Sequence, residues 1–373
     1  MEHYKDNYSE KTKILFILGS GIYPHIVGGM EIFNFYFIAN LKKYFNIFHT
    51  STKPLKTNDI KWIKTYLIKP IKLFSPLQVL ITLLFKPSIK KVVISYSAAH
   101  WLVWYLYTLI NTLLRRDYYV IIHYGDATPK GTYKVYKKFF NKAKRVIAVS
   151  GDIKNNYDKE YGIDCKVLYP LVPFEICNKT KKDIREEFGI PEDAFLTCMV
   201  GSIKDMKHPE TILDAVAKFD DKEMEQYNPH IVYAGSGQML QDLKDKAKDG
   251  GIENRVHFLG FVPKEEVNKV FKMSDAYVIA SDFEGTSVSL LEAMYNRLPI
   301  LASNAPGIKD MVSHNHSALM FETKKAEDLK ERILSLLKDK TLSNALCDNA
   351  YKDYNAKYNY DDMLNDYITI FNE

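Results

Sequence analysis

Two glutamates, Glu284 and Glu292, stand eight residues apart after a β-branched, apolar run. The pattern predicts a short strand, a loop that carries Glu284, and a helix that begins near Gly285 and carries Glu292 about two turns in. Thr286 and Ser287 are residue types that cap helix N-termini, where free backbone N–H groups bind anions. Two carboxylates beside such a terminus suit a ligand with hydroxyl groups at both ends and phosphate between them.

A longer pattern extends this stretch, because Glu284-x7-Glu292 is followed by Ala293-Met294 and by Leu-Pro-Ile at 298–300. It resembles the nucleotide-sugar site of retaining GT-B glycosyltransferases of family four, a group typified by bacterial mannosyl- and glucosyltransferases. The glutamate pair alone is as compatible with an ordinary strand–loop–helix that carries two surface glutamates. The resemblance implies an α/β protein of the GT-B class, with two Rossmann-like domains that face a central cleft.

The composition is that of a soluble globular protein, since 46% of the 373 residues are hydrophobic and 26% are charged. The length suits two domains. The four cysteines form no CxxC pair, which favours a reducing compartment. The polar first residues are not a secretory signal, and no apolar run is long enough to span a bilayer. We expect a cytoplasmic protein and, with a net charge of only +5, no nucleic-acid partner.

Strand and helix patterns alternate in both halves of the chain, which predicts two mainly parallel sheets. Two prolines and a basic run at 170–182 suit a linker. We therefore expect an N-terminal, acceptor-side domain over 1–172 and a C-terminal, nucleotide-sugar-binding domain over 181–354. The resemblance implies that the last helix, within 355–373, crosses back to the N-terminal domain.

A loop with a lysine follows the first strand of the second half, where Gly201 and Ser202 end the strand and Lys207 precedes a helix. The resembled family has Gly-Arg here and a lysine five residues after the arginine, and the two cations hold the donor diphosphate. Gly201 and Lys207 match this pattern, whereas Ser202 replaces the arginine and removes a fork-shaped phosphate donor. Lys204 is a candidate substitute, although a flexible ammonium is not an equivalent group.

Glycines follow the first strand of the chain. The Gly-Ser-Gly at 19–21 invites a dinucleotide-binding interpretation, but the third glycine of that fingerprint is missing and no acidic residue closes the next strand. Gly28 and Gly29 instead resemble the glycine loop of the same glycosyltransferases, in which small residues let the loop approach the donor.

Two histidines follow predicted strands of the N-terminal half. Ligands of open α/β sheets lie beyond the carboxyl ends of the strands, so both His100 and His123 are placed to meet one. His123 matches a family histidine that hydrogen-bonds the donor sugar, whereas His100 is closer to an ordinary structural histidine. Asp126 is a weaker candidate for an acceptor contact.

The resemblance assigns roles to the remaining candidates. The loop with Phe261 and Val262 corresponds to the one whose backbone reads the base, although a bare strand-to-helix turn is nearly as compatible. Glu284, His123 and Lys207 are the predicted catalytic residues. Lys207 and the helix N-terminus would stabilise the leaving diphosphate, and the glutamates would bind sugar and ribose hydroxyls. The chain has no D-x-D motif, so we expect no metal and no cofactor. The predicted donor-binding residues are Gly28, Gly29, Gly201, Ser202, Lys207, Phe261, Val262, Glu284, Gly285, Thr286, Ser287, Val288 and Glu292.

Residues 60–91 are basic and apolar, with no acidic residue between Lys61 and Lys91. Such a segment can lie on an anionic membrane surface. The alternative is a set of outer helices and strands whose lysines extend to water. The next segment, over 101–114, is apolar almost all round, and it is too short to span a bilayer and better suited to a core helix than to an anchor.

The sequence thus predicts a retaining, metal-independent hexosyltransferase that moves a sugar from a UDP- or GDP-sugar to a glycan or lipid-linked acceptor, in surface polysaccharide or glycolipid synthesis. We expect it in the cytoplasm, peripheral to the inner face of the cell membrane. The absent arginine at Ser202 motivates the alternative of a weak or inactive GT-B subunit that stabilises a partner transferase. An NAD-dependent oxidoreductase rests only on the glycines at 19–21.

Overall fold

The computed structural model describes residues 11–18, 29–51, 61–64, 74–96, 101–123, 133–175 and 177–373. The chain divides into two compact units, one of Met1–Pro173 with Tyr360–Glu373 and one of Phe174–Asn359. The predictions for 19–21, Gly28, His100 and Asp126 lie outside the described residues.

The described part of the first unit is a parallel α/β sheet of seven strands, in the order β3-β2-β1-β4-β5-β6-β7. Its central strands β1, β4 and β5 are nearly continuous runs of buried apolar residues, as expected where helices cover both faces of a sheet. In chain order the elements are β1 Lys13–Ile17, α1 Gly29–Leu41, β2 Asn46–Ser51, β3 Lys61–Lys64, α2 Phe74–Phe85, β4 Lys91–Tyr96, α3 Trp101–Leu113, β5 Asp117–Ile122, α4 Tyr133–Asn141, β6 Arg145–Ala148, α5 Gly151–Tyr161 and β7 Lys166–Val167.

The second unit is a parallel sheet of six strands within the described chain, in the order β10-β9-β8-β11-β12-β13. Its elements are α6 Lys181–Glu187, β8 Phe195–Val200, α7 Pro209–Ala217, α8 Asp221–Tyr227, β9 Pro229–Ala234, α9 Leu240–Asp249, β10 Val256–Gly260, α10 Val267–Met273, β11 Ala276–Ile279, α11 Val288–Tyr295, β12 Ile300–Ser303, β13 Leu319–Phe321, α12 Ala326–Lys338 and α13 Lys340–Lys357.

The order of the strands reverses once in each sheet, between β1 and β4 in the first unit and between β8 and β11 in the second. The loops that leave the carboxyl ends of two such strands run in opposite directions and leave a crevice, which is where ligands of open α/β sheets bind. The predicted α/β class with two Rossmann-like domains is therefore confirmed.

The last helix, α14 Tyr360–Asn372, belongs to the first unit. Lys91 Nζ on β4 donates a 2.8 Å hydrogen bond to the Phe371 carbonyl, and the Phe371 ring meets the edge of Tyr119 at 5.0 Å between centroids. These contacts confirm that the final helix returns to the N-terminal domain. It begins at Tyr360 rather than at 355, because α13 continues to Lys357.

The helix α3 corrects one expectation, because it is not buried on all sides. Tyr107 and Ile110 are buried, whereas Leu109 is 43% exposed and Leu113 is 70% exposed. Periodicity could not detect this face, since apolar residues occupy every side of the helix. Within the described residues, no helix is long and apolar enough to cross a membrane.

Arg185 on α6 closes the amino ends of β8 and β11. Its guanidinium donates to the carbonyls of Met273 (2.9 Å) and Ala194 (3.0 Å) and to Asp275 Oδ2 (2.6 Å). The same carboxylate oxygen accepts a 2.8 Å bond from the N–H of Leu196. Arg185 is only 4% exposed. Its network therefore holds β8 and β11 in a fixed relation at the crossover, by which we mean the point where the strand order of the sheet reverses.

Replacing Arg185 by methionine should therefore lower the free energy of unfolding of the second unit by about 1–3 kcal/mol, since it leaves the buried carbonyls of Met273 and Ala194 without their donor, while Asp275 keeps Lys181 as a partner. Urea denaturation followed by circular dichroism measures the change. Lys182→Met, on the exposed face of the same helix, is the matched control and should leave the transition in place. An R185M transition at the wild-type urea concentration would show that the network is not a stabilising element.

Candidate functional site

Two loops at the crossover of the second sheet bring a cation and a carboxylate together. Lys207 follows β8, Glu284 follows β11, and Lys207 Nζ forms an ion pair with Glu284 Oε1. The side chains are only 23% and 12% exposed, so water screens the pair weakly. The hydroxyl of Ser281 also donates to Glu284 Oε1, at 2.7 Å, and fixes the direction of the carboxylate.

A buried histidine ties the same two loops together. His208, which adopts a left-handed backbone with φ of 43°, places Nε2 2.6 Å from Asp282 Oδ2 and Nδ1 3.0 Å from Glu210 Oε1. The N–H of Asp282 donates to the Met206 carbonyl at 3.1 Å. The bond to His208, with help from Lys324, holds the pKa of Asp282 below its usual value. Because these bonds hold His208, they also fix the backbone of the adjacent Lys207.

Close backbone contacts support the two loops. Gly307, with φ of +77°, lies so near that a Cβ atom there would stand 1.8 Å from the Glu284 carbonyl oxygen. The N–H of Glu284 donates to the Pro306 carbonyl at 3.2 Å. A Cβ atom at Gly235, in the Gly-Ser-Gly turn after β9, would stand 1.7 Å from the Gly201 carbonyl oxygen. Glycine at these positions lets neighbouring loops pack backbone to backbone.

The helix that carries Glu292 begins later than the sequence suggested. It starts at Val288 rather than near Gly285, because Ser287 is the N-cap and its hydroxyl accepts from the N–H of Leu290 at 3.3 Å. Gly285 and Thr286 lie in the preceding turn. The N–H groups available to an anion at this terminus are therefore those of Val288 and the residue after it.

Glu292, the fifth residue of α11, is buried and forms an ion pair with Lys264. Burial raises the pKa of Glu292, and the charge and hydrogen bond of Lys264 oppose that rise. Lys264 belongs to the loop after β10 that also carries the predicted base-reading residues. Of these, Phe261 is 49% exposed, and Val262 is half-buried. The loop therefore reaches the acidic residue that was predicted to bind ribose.

The remaining predictions for the β8 loop concern two adjacent residues. Gly201 follows β8 with φ of +143°, a conformation that favours glycine. Ser202 is partly exposed, and its carbonyl accepts from the N–H of Lys204 at 3.2 Å. Both residues thus share a loop with Lys207, while Lys204 itself is exposed.

In the first unit, His123 stands directly after β5, and it is 8% exposed. The Ser95 hydroxyl donates to Asn34 Oδ1 at 2.9 Å and lies 3.0 Å from His123 Nε2, so the histidine donates its Nε2 proton to Ser95. The rings of Phe33 and His123 pack in a T-shaped arrangement, with their centroids 4.8 Å apart. Burial lowers the pKa of His123 to about 3, which keeps the ring neutral. Its role toward a donor sugar stays a prediction.

The second glycine of the predicted N-terminal loop, Gly29, is the first residue of α1. Its backbone N–H is therefore at a helix start, although its contribution to donor binding also stays a prediction.

Sequence reasoning missed four residues that the structure joins to the predicted ones: Ser281, which bonds Glu284; Asp282 and His208, which link the loops; and Lys264, which pairs with Glu292. The first three lie within three residues of predicted ones, so the strand-end rule could have included them. Lys264 is 28 residues from Glu292, and no local pattern signals that pair. Within the described chain, no three His, Cys, Asp or Glu side chains cluster as a metal site would require.

Comparison with known proteins finds glycosyltransferases. Residues 180–353 match the family model of the glycosyl transferases group 1. An uncharacterized glycosyltransferase of Methanocaldococcus jannaschii is 27% identical over 235 residues, which cover 61% of this chain and 59% of that protein. The chain thus spans about three-fifths of the length of the curated relatives that it matches first.

Two further matches concern a ligand and an acceptor. An alpha-1,4-N-acetyl-D-galactosaminyltransferase of Campylobacter jejuni, whose name gives a PP-undecaprenol-linked glycan, is 31% identical over 156 residues, or 42% of each chain. The crystal structure of HepE from Anabaena in complex with UDP superposes with a TM-score of 0.78 at 16% identity, over 97% of this chain and 100% of that one. This likeness shows that the fold is the GT-B fold of glycosyltransferases.

The contact of Gly307 with the Glu284 backbone can be tested by substitution. Gly189→Ala also forces alanine into a left-handed backbone, with φ of +66°, but its Cβ would meet no atom within 4 Å. It should lose about 1–2 kcal/mol of stability from the backbone alone. Gly307→Ala should lose about 1–3 kcal/mol more, because the added methyl group displaces the Glu284 loop. Chemical denaturation of both variants measures the difference, and equal losses would show that the loops do not need this contact.

Proposed function

We propose that the chain, whose residues 180–353 match the glycosyl transferases group 1 and whose fold is GT-B, is a retaining hexosyltransferase. It moves a sugar from a UDP- or GDP-sugar to a glycan or lipid-linked acceptor during the synthesis of a surface polysaccharide or glycolipid. The UDP bound to the HepE structure and the lipid-linked acceptor named for the Campylobacter jejuni relative support this choice.

One observation carries the proposal, and it is the ion pair of Lys207 with Glu284 at the crossover of the second sheet. A sugar diphosphate contains a well-matched binding group for each of the two residues. The ammonium of Lys207 can turn to the anionic diphosphate, while the carboxylate of Glu284 accepts hydrogen bonds from sugar hydroxyls. Each side chain thus has a polar partner before and after the donor binds, first the opposite charge and then the diphosphate or the sugar hydroxyls.

The chemistry follows from where charge develops. Cleavage of the bond between the anomeric carbon and the diphosphate oxygen leaves the electron pair on the diphosphate and an oxocarbenium-like sugar. Lys207 stabilises the new negative charge, together with the N–H groups at the start of α11, beginning with Val288. Glu284 orients the sugar through its hydroxyls, and Glu292 holds the ribose. We propose retention of the anomeric configuration because the E-x7-E pattern resembles a retaining family.

We also propose that transfer needs no divalent metal. The chain lacks a D-x-D motif, and Lys207 with the α11 terminus supplies positive charge where a bridging metal would. Activity should therefore survive dialysis against EDTA, and loss of activity that magnesium or manganese restores would contradict this part of the proposal.

The second candidate function, a subunit that stabilises a partner transferase without turnover, rests on Ser202 at the place of the family arginine. The retained pair of Lys207 and Glu284 weighs against it, since both residues belong to the resembled donor-site pattern and lie together. Release of free nucleotide by the purified chain alone, in a screen of nucleotide sugars, would exclude this candidate.

Substitution of the pair tests the role of each partner. Glu284→Gln and Lys207→Met should each lower kcat by about 10²–10³-fold, as removal of one preorganised charge from a transition state does. Lys222→Met, an exposed lysine on α8, is the matched control and should keep wild-type rates. Nucleotide release from the best donor of the screen measures the rates. If E284Q and K207M keep the kcat of the control, the pair is not catalytic.

A membrane surface is the proposed location of the acceptor. The helices α2 and α3 of the first unit pack together, and both expose large apolar residues. Basic residues stand beside them, with Lys86, Lys90 and Arg115 all exposed. Apolar side chains that enter the acyl region, next to cations that meet anionic headgroups, are typical of interfacial binding. The exposed apolar residues are Leu77 (47%), Ile81 (45%), Leu84 (56%), Phe85 (83%), Leu109 (43%) and Leu113 (70%).

Vesicle flotation tests this surface. The wild-type chain should float with vesicles that contain anionic phosphatidylglycerol, and less so at high salt, because salt screens the headgroup charge. Phe85→Glu should weaken the partition by roughly tenfold or more, since a buried Phe contributes about 1.5–3 kcal/mol. Met206→Glu makes the same kind of change at an exposed apolar residue of the second unit (47% exposed) and should float as the wild type does. Flotation of F85E at the wild-type level would overturn the proposal.

A further inference from the structure

Lys264 is a charged residue that neither the sequence pattern nor the transfer chemistry above assigns. It lies in the loop between β10 and α10, and its Nζ pairs with Glu292 Oε1 on α11. The two side chains are 10% and 4% exposed, which makes this pair more enclosed than that of Lys207 with Glu284. The burial of a lysine is unfavourable unless its charge is paired, so a lysine this enclosed indicates a specific role.

The position of the ammonium is fixed from a second side. Lys264 Nζ stands 5.2 Å from the centre of the Phe174 ring, within the range of a cation–π contact. Glu292 itself stands on the regular helix α11, and its side chain is 4% exposed. Both ends of the ion pair are therefore immobilised, and the carboxylate has a defined direction.

Few other charges reach the carboxylate. In the described chain, the charged group that acts on Glu292 is Lys264, and the elements that pack against α11, which are α10, α13 and β11, add no further charge interaction to it. The Cys198 thiol on β8 faces the same region, but burial raises its pKa to about 12, so it is neutral. Burial raises the pKa of Glu292, and Lys264 is the group that counteracts this rise.

The protonation state of Glu292 decides what it can bind. An ionised carboxylate accepts hydrogen bonds from two hydroxyl groups, whereas a protonated one gives up an acceptor and gains a donor. The two neighbouring hydroxyls of a ribose are best bound by the ionised form. Without a cation nearby, a carboxyl as buried as Glu292 favours its neutral form.

We propose that Lys264 is a positioning residue of the ribose subsite, which fixes the Glu292 carboxylate and keeps it ionised so that it accepts hydrogen bonds from the ribose hydroxyls of the donor. This inference rests on the proposed nucleotide-sugar function. Lys264 acts through Glu292 and does not itself bind the diphosphate.

The test is the pH dependence of nucleotide affinity in Lys264→Met, measured by isothermal titration with UDP or GDP, whichever binds the wild-type chain. The readout is the ratio of the dissociation constants of variant and wild type, which cancels the titration of the nucleotide itself. In K264M the pKa of Glu292 rises further, so the ratio should increase as the pH falls, by up to about tenfold per pH unit below that pKa. Toward high pH, where Glu292 is ionised without help, the ratio should approach a constant.

Three controls separate positioning from other roles. Lys264→Arg keeps the cation and should give a ratio that does not vary with pH. Lys272→Met removes an exposed lysine of the adjacent α10 and should change nothing. Glu292→Gln should weaken binding, and adding K264M to it should cause no further pH-dependent loss, because the group that titrates is gone.

Inorganic pyrophosphate is the second probe, since it lacks a ribose. Its affinity should be equal in K264M and wild type, which also shows that the variant is folded. If K264M does not fold, Lys264→Gln takes its place, since it removes the charge but keeps a donor, and the same pH-dependent ratio is expected.

The possible results discriminate between the proposals. A K264M ratio that is flat with pH overturns the role of Lys264 alone. Equal weakening of UDP and pyrophosphate binding at every pH would also overturn it, because it indicates direct contact with the diphosphate. Absence of UDP and GDP binding to the wild-type chain would overturn the proposed function and, with it, this role.

Discussion

The ion pair between Lys207 and Glu284 is the interaction on which the candidate site depends. It can form because β8 and β11 are neighbours in the sheet, so the loops that follow them start side by side before they run in opposite directions. This proximity is a consequence of the strand order. The histidine and glycine contacts around it fix two loops whose own sequences are polar and irregular. A ligand that enters here would separate the pair, but because the loops are already fixed, the reorganisation would be confined to the two side chains.

The same arrangement occurs twice in the second unit, since each predicted glutamate has a lysine partner. Glu284 pairs with Lys207, and Glu292 pairs with Lys264. Removing a charge from water is unfavourable unless it is paired, so each ion pair compensates an enclosed carboxylate and an enclosed ammonium together. The pairs differ in enclosure. The more exposed pair can open to exchange partners with a ligand, whereas the enclosed pair is suited to hold one carboxylate still.

Much of this organisation could be predicted from the sequence, because buried parallel strands read as apolar runs and helices follow them at regular intervals. The start of α11 was predicted too early, since Thr286 and Ser287 are both capping types and only the structure distinguishes which one accepts the N–H of Leu290. The exposed face of α3 could not be predicted either, because apolar residues on every side of the helix give no hydrophobic periodicity. The partner of Glu292 could not be predicted, as the contact joins loops and helices far apart in the chain.

A crystal structure of the wild-type chain with UDP tests the central claim most directly. Our account predicts diphosphate oxygens within hydrogen-bond distance of Lys207 Nζ, about 3 Å, and ribose hydroxyls at the Glu292 carboxylate, with Lys264 still paired to it. UDP bound away from the loops that follow β8 and β11, with Lys207 and Glu284 untouched by it, would contradict the account.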